Sequence, residues 1–129
     1  MLHEIFKGMD NAAEQINENF ENGSIVETGT NENGEYLKFG NGWMICTFTG
    51  LPTTTTTSAG AVYRSWSEVW NFPEPFAFKP KVFAGASRAW RWAAATATDN
   101  LTAEIRQYAY ESNNTPIEST LFAIGRWKE

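Results

Sequence analysis

Apolar residues change their spacing once along this chain, and the change divides it in two. Leu2, Ile5, Met9, Ala12 and Ile16 recur at alternating intervals of three and four, and Phe20 follows four further on. This is helical periodicity, heptad-like over its first part. Glu14, Gln15, Asn17 and Glu18 fill the opposite face, and Gly23 stands where a helix commonly stops. An isolated helix of this length is marginal in water, so its stripe needs a partner. The spacing therefore predicts a short α-helix over 1–22, used for oligomerisation or attachment. Leu2, Ile5, Met9, Ile16 and Phe20 are its candidate contacts. A Gly-, Asn-, Thr- and Glu-rich connector is expected over 23–34.

From residue 35 the period becomes two. Tyr36 to Phe39 and Trp43 to Thr49 read as strands joined by the turn Gly40-Asn41-Gly42. Leu51 to Gly60, with five consecutive Thr residues at Thr53–Thr57, has neither period nor bulk and reads as a mobile loop. Alternation resumes over Ala61 to Phe72, with Val62, Trp66, Trp70 and Phe72 expected on one side and Ser65 and Ser67 on the other. Pro73, Pro75 and Pro80 interrupt it. Lys81 to Ser87, Trp90 to Thr98, Leu101 to Tyr110 and Ile117 to Trp127 are further strand candidates, with turns at Asp99-Asn100 and Ser112-Asn113-Asn114. Many short strands with almost no helical signal after residue 22 indicate a mainly β domain over 35–129, an antiparallel, jelly-roll-like β-sandwich.

Composition bounds the function. A length of 129 residues suits one domain with one core. The net charge of −5 argues against a nucleic-acid partner. No apolar run approaches the ~20 residues of a membrane span, so no membrane insertion is expected. The first ten residues lack the apolar core of a signal peptide, which points to synthesis in a cytoplasm. The single cysteine, Cys46, lies in an apolar strand and reads as a buried thiol.

Catalytic chemistry finds no obvious seat. His3 is the only histidine and is far in sequence from any nucleophile candidate. No His, Cys or carboxylate spacing suits a metal, and no glycine-rich phosphate loop opens a helix. No cofactor is expected. Glu68 and Glu74 flank an aromatic stretch and could form a glycosidase-like carboxylate pair, although carboxylates on a solvated strand face explain them as well. The expectation is a protein without enzymatic activity.

The aromatics are the better lead. Six of the residues are Trp. Trp66, Trp70, Trp90 and Trp92 fall near Arg64, Arg88 and Arg91 in the sequence. Trp is commonly a core residue, but four can hardly all be interior in so small a domain. Flat aromatic faces stack on the C–H faces of sugars, while arginines donate to hydroxyls and phosphates. Trp66, Arg88, Trp90 and Arg91 are the candidate ligand contacts.

Three segments, taken in order, resemble the head domains of bacteriophage tail fibres and receptor-binding proteins. Asn33-Gly34-Glu35-Tyr36-Leu37-Lys38-Phe39 runs into Gly42-Trp43-Met44-Ile45-Cys46. Phe72-Pro73-Glu74-Pro75-Phe76 and Lys79-Pro80-Lys81-Val82 follow, and Ala123-Ile124-Gly125-Arg126-Trp127-Lys128 closes the set. The segment Gly8 to Phe20 is similar to the start of small tail or baseplate proteins in phages of Gram-positive hosts. The resemblance implies a homotrimer at a virion tail tip or baseplate. Its partners would be other phage tail proteins and a host-surface saccharide or wall polymer. The alternative role is a structural shoulder or adaptor that binds no receptor.

Overall fold

The computed structural model describes residues 23–129. The helix expected over 1–22, with Leu2, Ile5, Met9, Ile16 and Phe20, lies outside the described residues. Ten strands follow in order: β1 (Ile25–Asn31), β2 (Gly34–Phe39), β3 (Trp43–Thr55), β4 (Thr57–Ala59), β5 (Val62–Arg64), β6 (Glu68–Asn71), β7 (Lys81–Ala86), β8 (Arg91–Ala97), β9 (Thr102–Ala109) and β10 (Asn113–Arg126). Every pairing is antiparallel. The first sheet runs β1-β2-β3-β10-β7. In the second, β9 pairs with β8 on one side and with β5 and β6 on the other, and β4 extends β5.

The two sheets enclose the core. Met44 and Cys46 from β3 and Leu121 and Ala123 from β10 face Trp70, Phe72, Phe76, Ala103 and Ile105. Alternation along β3 and β10 produces this: buried residues at every second position, exposed or half-buried ones between. Phe72 meets both Trp70 and Phe76 edge-on, each at 5.1 Å between ring centroids, a favoured aromatic geometry. The Trp70 indole N–H reaches the Asn33 carbonyl at 2.9 Å, so the largest core side chain carries no orphaned donor.

Three local expectations change. The connector expected over 23–34 contains β1, which forms a hairpin with β2 through Asn31↔Gly34. The threonine run is not a free loop. Leu51 has φ +56, one extra β3 residue is accommodated between Gly50 and Thr53, and the strand then continues to Thr55 against β10. Backbone pairing holds these threonines where apolar periodicity is absent. The third change is a break between β5 and β6. Arg64 pairs with Tyr108 and Glu68 with Ile105, so four steps along one strand oppose three along the other. The extra residue is a β-bulge, and it reverses the side-chain phase. Ser65 is buried and Trp66 is 68% exposed, whereas Trp70 is 1% exposed. Trp66 and Trp70 therefore do not share a face.

Candidate functional site

The outer faces of the two sheets differ in chemistry. On the first sheet, the register aligns Leu37, Ile45 and Ile124 in one row and Thr47, Phe122 and Phe83 in the next. Trp43 lies one pair further along, with the Arg126 guanidinium 5.5 Å from its ring centroid. Phe83 is 60% exposed and tilts against Phe122. A hollow of about 490 Å³ opens on this face between Thr30, Glu35, Thr47, Phe48, Thr120 and Phe122.

The second sheet presents aromatics among charges. Trp92 and Tyr108 are cross-strand partners and stack at 6.2 Å with 13° between ring planes. Arg64 pairs with Tyr108 in the next strand, and its guanidinium lies 5.5 Å from the Trp66 ring. Trp66 keeps the outward phase of Arg64, and the bulge turns Trp70 inward. Glu104 and Arg106 continue the same face and pair at 3.2 Å. Hydrogen bonds from the Ser67 hydroxyl and Arg106 hold the Glu104 carboxyl below its ordinary range.

Beyond the end of the Trp92–Tyr108 pair lies a cleft of about 250 Å³ lined by Trp90, Tyr110, Glu111 and Asn113. Directly behind it is Arg91. Its Nη1 donates to the Thr53 carbonyl at 2.8 Å and to Gln107 Oε1 at 3.1 Å. Its Nη2 donates to Asn113 Oδ1 at 2.7 Å and to the Thr115 carbonyl at 3.3 Å. Gln107 in turn donates to the Ile117 carbonyl and to Ser119 Oγ. One end of the sandwich thus holds a polar interior, and the other holds the apolar core. Burial without a carboxylate partner among the described residues pushes the Arg91 pKa down.

These positions sort the sequence candidates. Trp66 and Trp90 both reach the surface, in different places. Arg91, expected as a ligand contact, is 3% exposed; its Nη1 and Nη2 are committed to protein acceptors, and its Nε is buried without a partner among the described residues. It supports the site from within. Arg88 is exposed but lines a different hollow, with Ser87, Pro116, Ile117 and Glu118. Trp92, Tyr108, Tyr110, Glu111 and Asn113 are surface or cleft residues that the candidate contacts omit. A signal for the aromatics exists: a hairpin folded about Asp99-Asn100 sets Trp92 opposite Tyr108.

Cys46 and Glu74 lie elsewhere. Cys46 is fully buried, and burial pushes its thiol up to about 12. Glu74 lies 3.7 Å from Lys38 Nζ, which also holds Glu27 at 3.1 Å. Among the described residues no cluster of three His, Cys, Asp or Glu could hold a metal, and no helix is long and apolar enough to cross a membrane.

No protein-family model matches this sequence, and no curated protein matches it. Two solved structures share its fold. An N-truncated R1-type pyocin tail fibre superposes with a TM-score of 0.62 at 14% identity, covering 88% of this chain and 95% of that one. A C-terminal portion of the P. aeruginosa R1 pyocin fibre gives a TM-score of 0.54 at 12% identity, over 79% of this chain. The chain spans 29% of that longer fibre fragment. At these identities the likeness is one of fold. It does not support the expected Gram-positive host.

Proposed function

We propose that this protein is the head of a phage or phage-like tail fibre. It works as a homotrimer that attaches to a host-surface saccharide or wall polymer without altering it. The observation that carries this reading is the contrast between the two outer faces. The first sheet displays Leu37, Ile45, Ile124, Phe122 and Phe83 side by side, a contiguous apolar surface that association would cover. Its lateral edges differ in sign: Glu32 and Glu35 on the β1–β2 side, Lys79 and Lys81 on the β7 side. In a closed ring of identical copies, one edge of each subunit meets the opposite edge of the next, and these charges then attract. A second copy is therefore the occupant of this face.

The second sheet suits a different partner. Trp66, Trp92 and Tyr108 offer aromatic planes, and Arg64, Arg106 and Glu104 offer charged donors and acceptors beside them. Sugars present both C–H faces and hydroxyls. Three such faces in one particle multiply a weak contact into firm attachment. The fold shared with pyocin tail fibres supports a place in a virion tail, among other tail proteins.

The hollow on the apolar face favours one competing reading. A side chain of another tail protein could seat there, making this chain a structural shoulder or adaptor in a baseplate. Fluorescently labelled protein, applied to host cells and to their purified wall polysaccharide, separates the two. Receptor binding predicts decoration of both, weakened by Trp92→Ala and Trp66→Ala. If the wild-type protein decorates neither but forms a tight complex with a tail protein, the receptor reading fails and the structural one stands.

A further inference from the structure

We infer that the cleft between Trp90, Tyr110, Glu111 and Asn113 is a subsite for a single neutral sugar ring. The inference rests on the receptor-binding reading and adds a second contact beyond the end of the Trp92–Tyr108 pair. The argument begins with Asn113. Its Oδ1 accepts from Arg91 Nη2 at 2.7 Å and from the Thr115 backbone N–H at 2.9 Å. Both lone pairs of that oxygen are occupied, so the carboxamide has one orientation. Its Nδ2 is left as a donor with no hydrogen-bond partner among the described residues. Glu111, on the same cleft, is exposed and makes no ion pair among the described residues. The cleft thus offers one fixed donor and one free carboxylate acceptor. Vicinal ring hydroxyls, each of which donates and accepts, complement that pair.

The apolar part of the site has the same support. The Trp90 ring lies with its centroid 5.0 Å from the Arg91 guanidinium, within range of a cation–π contact, and remains 40% exposed. Tyr110 is 61% exposed. Trp90 and Asn113, two walls of the cleft, therefore rest on one buried cation. That cation is itself fixed by Thr53, Gln107 and Thr115. Side chains that are already fixed lose little freedom when a ligand arrives. At about 250 Å³ the cleft falls below the usual range for drug-sized ligands, so it suits one ring rather than an oligosaccharide. The larger hollow on the first sheet lacks this arrangement of a fixed donor beside a free carboxylate.

One substitution separates binding from folding. Asn113→Asp keeps the acceptor that Arg91 and Thr115 use and removes the Nδ2 donor. The test follows the indole N–H signal of Trp90, assigned by its loss in Trp90→Phe, during titration with glucose, galactose, N-acetylglucosamine, rhamnose and glycerol. The expected result is a saturable shift with at least one of the four sugars, none with glycerol, and loss of the shift in Asn113→Asp with thermal stability no lower than that of the wild type, since the new carboxylate pairs with Arg91. The absence of a saturable shift with every sugar would overturn the assignment, as would undiminished binding by Asn113→Asp. Cell decoration distinguishes the two levels. If Asn113→Asp decorates cells like the wild type, this subsite fails and the receptor reading stands. If the wild type decorates nothing, the receptor reading itself fails.

Discussion

The indole N–H of Trp127 donates to the carbonyl of Phe39 at 2.8 Å, joining residues 88 positions apart. The bond fastens the C-terminal segment to the end of the first hairpin. The Trp127 backbone N–H also donates to the Gly42 carbonyl at 2.8 Å, and the Lys38 ammonium lies 5.1 Å from the Trp127 ring centroid. Trp127→Phe keeps most of the ring and removes the indole donor, while the Phe39 carbonyl keeps the Gly42 backbone N–H at 3.0 Å. A loss of about 1 kcal/mol in urea unfolding is expected, with no change in assembly.

This bond also explains which parts of the molecule are legible in the sequence. The segments that resemble tail-fibre heads meet at this closure. Gly125 packs against Pro80 and Phe76 so closely that a Cβ there would lie about 3.0 Å from the Pro80 side chain. The Ala77 N–H donates to the Arg126 carbonyl. Such residues are constrained by backbone proximity and core packing, which leave a pattern in residue type and spacing, so they report the fold. Alternation alone misplaces Trp66 because a bulge changes phase without changing composition. Arg91 is misread because a buried guanidinium held by neutral acceptors looks, in sequence, like an exposed one. The Trp90 cleft joins residues on both sides of the β8–β9 hairpin with Asn113 of β10, and no local spacing records that meeting.

Gly34, at the other end of β2, tests the same kind of backbone constraint. Its φ is +126, and an added Cβ would run into the Thr47 carbonyl of the neighbouring strand. Relief would require the β2–β3 pair to separate. Gly34→Ala should destabilise the fold by about 2–3 kcal/mol in chemical denaturation. Gly60→Ala is the control for the strained backbone alone, because its φ is +66 but an added Cβ would meet nothing within 4 Å. A smaller loss is expected there, and equal losses would show that steric contact at Gly34 contributes nothing.

Cys46 should behave as a reporter of unfolding. The thiol is fully buried, and burial pushes its pKa up to about 12, so almost no thiolate exists at neutral pH. A soluble maleimide should leave the native protein unmodified over hours and label it fully in denaturant, as read by intact mass. Rapid labelling of the native state would mean that the β2–β3–β10 core opens readily.

Acid should weaken the domain through carboxylates held below their ordinary range. Asp99 is lowered because Oδ1 accepts the backbone N–H groups of Leu101 and Thr102 at 2.7 and 2.8 Å. Glu27 is lowered by Lys38 and the Tyr36 hydroxyl. A depressed folded-state pKa gives stability that is present above the unfolded value of about 4 and lost as pH falls through the folded value. Urea midpoints should therefore be flat from pH 7 to about 5 and fall below about 4. Asp99→Asn preserves an acceptor for the turn and should flatten part of that fall. An unchanged pH profile would remove Asp99 from the account.

The proposed subunit contact can be tested without touching the core. Phe83 points out of the first sheet, is 60% exposed and contacts Phe122, whose cross-strand partner is Thr47. Phe83→Glu places a charge beside Phe122, where a neighbouring copy would have to desolvate it. Because the native side chain contributes little to the interior, the variant should fold with a wild-type circular dichroism spectrum. Light scattering should give three times the 14.5 kDa chain mass for the wild type and a single chain mass for Phe83→Glu at micromolar concentration. Exchanging the edge charges, Glu35→Lys together with Lys81→Glu, should restore attraction that either substitution alone weakens. A Phe83→Glu variant that remains trimeric would move the contact off this face. A wild-type monomer would remove the avidity on which weak sugar binding depends, and attachment would then require a single site of high affinity.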